Sequence, residues 1–88
     1  MKASDIYFTA ASAAQAALPP ASAALIRHYD EIARTFARNG YGMSIPGDLA
    51  AADAAVQADP AANAAMQIRI LGNRAVMAEY NAATAKAA

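Results

Sequence analysis

Large apolar side chains fall at helical spacing along most of this chain, most clearly between residues 20 and 40. Leu25, Tyr29, Ile32 and Phe36 recur at intervals of four, three and four, which places them on one stripe of an α-helix. Ile26, Ala33 and Ala37 widen the stripe. On the opposite face Arg27, Asp30, Glu31, Arg34 and Arg38 alternate in sign, and Asp30 to Arg34 has the acid-first i,i+4 spacing that contributes about 0.2–0.5 kcal/mol. Pro20 suits a first helical position, where no N–H is needed, and Asn39-Gly40 suits a C-terminus, where the chain turns into the left-handed region.

The flanking segments carry weaker versions of the same pattern. Residues 4–18 place Tyr7, Ala11, Ala14 and Leu18 at four-three-four spacing, with Ser4 or Asp5 positioned to cap the first turn. Leu18-Pro19-Pro20 must end that helix in a sharp corner, because proline pushes the preceding residue out of the helical region and cannot continue the hydrogen-bond ladder. Residues 40–47 hold three glycines and a proline but also Tyr41, Met43 and Ile45. Such an apolar loop either contacts a partner or folds back onto the alanine-rich helices, and it lacks the Gly-Lys-Ser/Thr of a phosphate loop.

Asp48 is placed to cap a third helix reaching about Ala58, with Leu49, Ala52 and Val56 facing inward. Asp59-Pro60 then opens a longer run in which Met66, Ile70, Met77 and Tyr80 share one face, flanked by Ile68, Leu71 and Ala75. Gly72-Asn73 interrupts it. Either the helix bends or ends there, or glycine admits a closely crossing neighbour; the period resumes in register beyond it, which favours a continuous helix. Residues 84–88 are expected to fray. The pattern therefore predicts one all-α domain over residues 1–88, with three or four helices in a hairpin or small-bundle arrangement.

Composition changes the picture of the core. Of 88 residues 29 are alanine, and only 22 are large apolar or aromatic side chains. Alanine favours helix more than any other residue but buries little apolar area. Either the helices approach closely, or the chain becomes ordered by packing against copies of itself or another protein. Seven acids balance seven bases, so the chain lacks the field that nucleic-acid and anionic-membrane binders use. No run approaches a membrane span, and Ala3-Ser4-Asp5 interrupts any apolar leader, so the expected location is cytoplasmic, or exported without a cleaved signal peptide.

Chemistry-bearing residues are sparse. With no cysteine and with His28 alone, the usual zinc sets cannot be built, and neither Ser22 nor Ser44 has a nucleophile-elbow context. The sequence names no catalytic residue, no cofactor-binding residue and no metal ligand; His28 reads as a surface or boundary residue. Arg27, Arg34, Arg38, Arg69 and Arg74 would line a phosphate-contacting face if the second and last helices lie side by side. That makes a small regulatory module associated with nucleic acid the alternative to a protein-interaction subunit, with zero net charge against it. The candidate interface is Leu25, Tyr29, Ile32, Phe36, Tyr41, Met43, Met66, Ile70, Met77 and Tyr80, which would meet a protein partner or a homo-oligomer.

The strings Val56-Gln57-Ala58-Asp59-Pro60-Ala61, Met66-Gln67 and Tyr80-Asn81-Ala82-Ala83-Thr84-Ala85-Lys86 resemble the second half of the small helical subunits that form the needle and inner rod of bacterial type III secretion systems. Those subunits carry an Asp-Pro or Asn-Pro turn, a glutamine a few residues into a long C-terminal helix, and a tyrosine- and asparagine-rich stretch followed by lysine. The resemblance, over about a third of the chain, implies self-assembly through the last helix, a role in protein export and no catalysis.

Overall fold

Prolines and acidic residues set the corners. A computed structural model describes residues 1–39 and 47–87, nearly all of them in four helices: α1 (Ala3–Ala16), α2 (Pro20–Arg38), α3 (Gly47–Ala58) and α4 (Pro60–Ala87). The all-α expectation holds, with no strand among the described residues. Pro19 is extended (φ −56°, ψ 151°) and Pro20 is the first residue of α2, so the corner forms where the two prolines require it. Asp59 caps α4 by accepting the Ala62 N–H at 3.0 Å.

Two caps differ from expectation. Lys2, not Ser4 or Asp5, precedes α1; Asp5 reaches back to the Lys2 N–H (3.4 Å), while Ser4 is drawn onto another helix. Similarly α3 begins at Gly47, and Asp48 lies inside its first turn, accepting the Leu49 N–H at 2.9 Å. Asn39 ends α2 in the right-handed region (φ −86°, ψ 0°), and the apolar loop with Tyr41, Met43 and Ile45 lies outside the described residues.

The longest helix is shared by all the others. At 1.5 Å per residue the 28 residues of α4 span about 42 Å, close to the molecule's 44 Å length. Helix α1 runs antiparallel along its C-terminal half, with Ser4 beside Glu79, Phe8 beside Gly72 and Gln15 beside Arg69. Helices α2 and α3 pack on each other and on the N-terminal half. The core lies there: Ile26, Val56, Ala62, Ala65 and Met66, edged by Ala14, Leu18, Leu25, Tyr29 and Ile70.

On α2 the buried line is rotated from the expected stripe. Ile26, expected at the margin, is fully buried (0% exposed), whereas Leu25, Tyr29, Ile32 and Phe36 are half-buried. Close approach explains this: Ser22 and Ala33 share the Ile26 side, and short side chains let a neighbour come nearer there than over the bulky stripe. On α3 the expectation holds, with Ala52 and Val56 buried and Leu49 half-buried.

Helix α4 continues through Gly72, which lies close against the Phe8 ring. A Cβ at that position would lie 2.8 Å from Cε1 of Phe8. The helix also continues through Ala87, although residues 80–86 are exposed.

The result is long and flat, 44 × 33 × 17 Å. Its radius of gyration is 14.9 Å, against about 12 Å for a compact chain of this length. Its accessible surface is 6003 Å², against about 4,900 Å² for a compact monomer of this mass.

Two stability predictions follow from the packing. Ile26→Ala should lower stability by about 2–5 kcal/mol, the range for emptying a buried aliphatic site, and should exceed the loss from Leu25→Ala, as read by urea denaturation. Gly72→Ala should destabilise the native chain through Phe8, yet stabilise a Phe8→Ala background by about 1 kcal/mol of helix propensity; equal effects in both backgrounds would refute the contact.

Candidate interaction surface

Helices that meet through methyl groups need something else to fix their orientation, and three polar ties do so here. Ser4, 5% exposed, donates its Oγ–H to Glu79 Oε2 (2.8 Å) and its backbone N–H to Oε1 (3.1 Å), holding the start of α1 on α4. Ser22, equally buried, places its Oγ 2.9 Å and 3.1 Å from the two Asp59 oxygens, holding the start of α2 on the α3–α4 corner. The third tie joins three helices. Arg69 of α4 donates from Nη1 to Asp30 Oδ1 of α2 (2.7 Å) and from Nη2 to Gln15 Oε1 of α1 (2.8 Å), with Asp30 Oδ2 at 3.4 Å.

The Arg69–Asp30 pair corrects two expectations. Asp30 pairs across helices rather than with Arg34 along its own, because it stands one turn beyond Ile26 at the edge of the buried side, while Arg34 points outward. Arg69 is therefore withdrawn from any arginine face; Arg27, Arg34 and Arg38 remain exposed along α2, and Arg74 is exposed on α4. Among the described residues no buried side-chain nitrogen or oxygen lacks a hydrogen-bond partner.

Two of the carboxylates are tuned by these ties. The Ala62 backbone N–H and then the Ser22 hydroxyl lower the pKa of Asp59, against a smaller opposing effect of desolvation. The Ser4 hydroxyl and then its N–H lower that of Glu79, with Lys2 adding a favourable charge. In both cases hydrogen bonds favour the ionised form.

Beyond the ties, one stripe of α4 changes environment halfway along. Ala62, Met66, Arg69 and Ile70 face α2 and α3. The same face continues through Asn73, Val76, Met77 and Tyr80 to Thr84, where these side chains are exposed, and α1 lies on a different side, the one bearing Gly72 and Glu79. Val76, Met77 and Tyr80 are 42, 57 and 64% exposed. Of the sequence-derived interface residues, Met66 is buried, Leu25, Tyr29 and Ile70 pack against the core, and Ile32 and Phe36 are half-buried. Met77 and Tyr80 stand outside, and Tyr41 and Met43 lie beyond the described residues.

His28 is exposed on α2. Among the described residues no three His, Cys, Asp or Glu side chains converge as metal ligands, and no helix is long and apolar enough to cross a membrane. The ties escaped sequence reading because serine, glutamine and carboxylate partners stand 37 to 75 residues apart; the only local signal was serine on an otherwise apolar face. Comparison with protein-family models, curated proteins and solved structures found no match.

Because both carboxylates have folded pKa values below their unfolded ones, their contribution to stability is present above the unfolded values, about 3.9 for Asp and 4.3 for Glu, and is lost as pH falls through the folded ones. Ser4→Ala and Ser22→Ala should each flatten the loss of stability on acidification, measured as the urea midpoint from about pH 6 down to about pH 2. An unchanged pH slope would show that the serines do not hold these carboxylates ionised.

Proposed function

We propose that this chain is a non-catalytic structural or protein-interaction subunit that packs into a larger assembly, homo-oligomeric and related to protein export. The observation that carries the reading is the flat, open shape: about 1,100 Å² more surface than a compact monomer of 9.0 kDa exposes. A standard protein interface removes about 800 Å² from each partner, so the excess is of the size an interface would cover. The small core supports the same reading, since Ile26 and Val56 are the largest fully buried side chains among the described residues. The resemblance of the Asp59-Pro60 turn and the stretch from Tyr80 to Lys86 to needle and inner-rod subunits supports the link to export.

A second reading, a helical module bound to nucleic acid, draws on one observation. Arg27, Arg34 and Arg38 lie along one exposed line of α2, with Glu31 among them. It requires a salt-dependent mobility shift with duplex DNA.

The subunit reading is tested by native-state amide exchange on the dilute, isolated chain. Weak protection is expected, with the strongest around Ile26, Val56 and Met66 and little in residues 80–86. Slow exchange throughout a dilute monomer would defeat it.

A further inference from the structure

We propose that the α2–α3 pair is a hinged flap that swings off the α1–α4 pair about the Pro19-Pro20 and Asp59-Pro60 corners, with the Arg69–Asp30 ion pair as its latch. Such a motion requires no second chain. Among the described residues, α1 lies along α4 and α2 along α3 more extensively than either pair touches the other. The chain crosses between the two pairs twice, at residues 17–19 and at Asp59. These crossings are adjacent, because Ser22 at the start of α2 places its Oγ 2.9 Å from Asp59 Oδ2. Two adjacent crossings define one axis, with proline at both, and such helix ends are where hinge motion is absorbed.

From that axis the seam between α2 and α4 runs outward in rungs. Ser22 meets Asp59 at the base, Ile26 shares the core cluster with Met66 above it, and Asp30 pairs with Arg69 one turn further. The next rung is open: Arg34 and Asn73, four residues beyond Asp30 and Arg69, are both exposed. The ion pair therefore closes the outer end of the seam, where a swing separates the helices most. Gln15 of α1 accepts a second hydrogen bond from Arg69 at 2.8 Å, so the catch is fixed from the α1–α4 side.

Away from the latch the two pairs are loosely joined. An open recess of about 410 Å³, lined by Ser12, Gln15, Ala16, Ala23 and Arg27, separates α1 from α2. Ala14 and Leu18, which reach the core from the α1 side, lie just before the Pro19 corner, where a swing displaces little. The latch itself is 26% exposed at Arg69 and 32% at Asp30, so dissolved salt weakens it. Opening uncovers Ile26 and Met66 while leaving every helix hydrogen-bonded, which distinguishes it from local unfolding.

The chain has no cysteine, so a thiol at Met66, 9% exposed and facing α2 and α3, reports opening. In dilute Met66→Cys protein, Asp30→Arg should speed thiol alkylation by about tenfold or more, while amide exchange in residues 60–72 stays unchanged. Adding Arg69→Asp restores an opposite-charge pair and should return the rate to that of Met66→Cys alone. With the latch intact, raising NaCl from about 0.02 M to about 1 M should also speed alkylation. Ala11→Cys, on the side of α1 that faces α4, should respond to none of these changes. Alkylation that rises only in step with amide exchange would show unfolding in place of a swing and overturn the hinge. An equal rise at Ala11→Cys, or no response to Asp30→Arg, would do the same. If Asp30→Arg unfolds the chain outright, the salt series decides, and alkylation of Met66→Cys indifferent to salt overturns the latch.

Discussion

Helices faced with methyl groups can come close together, but each contact between them removes little apolar area from water. That constraint governs this molecule. Close approach is visible at Gly72, where even one added carbon would meet the Phe8 ring, and along the Ser22–Ile26 side of α2. The shortage of area is visible in a core that seats Ile26, Val56 and Met66 among alanines. A surface of alanine is also nearly featureless, so it specifies the angle and register of a neighbour poorly.

The polar ties supply that specification. Ser4–Glu79, Ser22–Asp59 and Arg69 with Asp30 and Gln15 each join different helices, and each requires particular atoms to meet. Serine suits the role because it is nearly as small as alanine and still donates a hydrogen bond. Partners held at the edge of the core, rather than deep within it, avoid most of the desolvation that a buried ion pair would incur.

Helix α4 connects this architecture to the proposed role. It belongs to two groupings at once, a three-helix unit with α2 and α3 and a helix pair with α1, and neither covers its whole circumference. One helical face therefore begins as core and ends as surface without a change in its chemical character. The exposed part of that face, with Val76, Met77 and Tyr80, supports the proposed role.

The helices themselves were legible from the sequence because their causes are local. Pro19-Pro20 turns the chain through steric exclusion, Asp59 caps α4 through a hydrogen bond three residues away, and the spacing from Met66 to Tyr80 fixes which side chains share a face. Which parts of that face would be covered depended on the lengths and directions of other helices, so Met66 and Tyr80 read alike and ended apart. The same limit hid the true centre of α2 and the partner of Asp30, since both depend on what approaches from across the fold. Periodicity records the chemistry a helix offers, and only tertiary packing decides which neighbour takes it, because contact between distant segments leaves no trace in the spacing of either one.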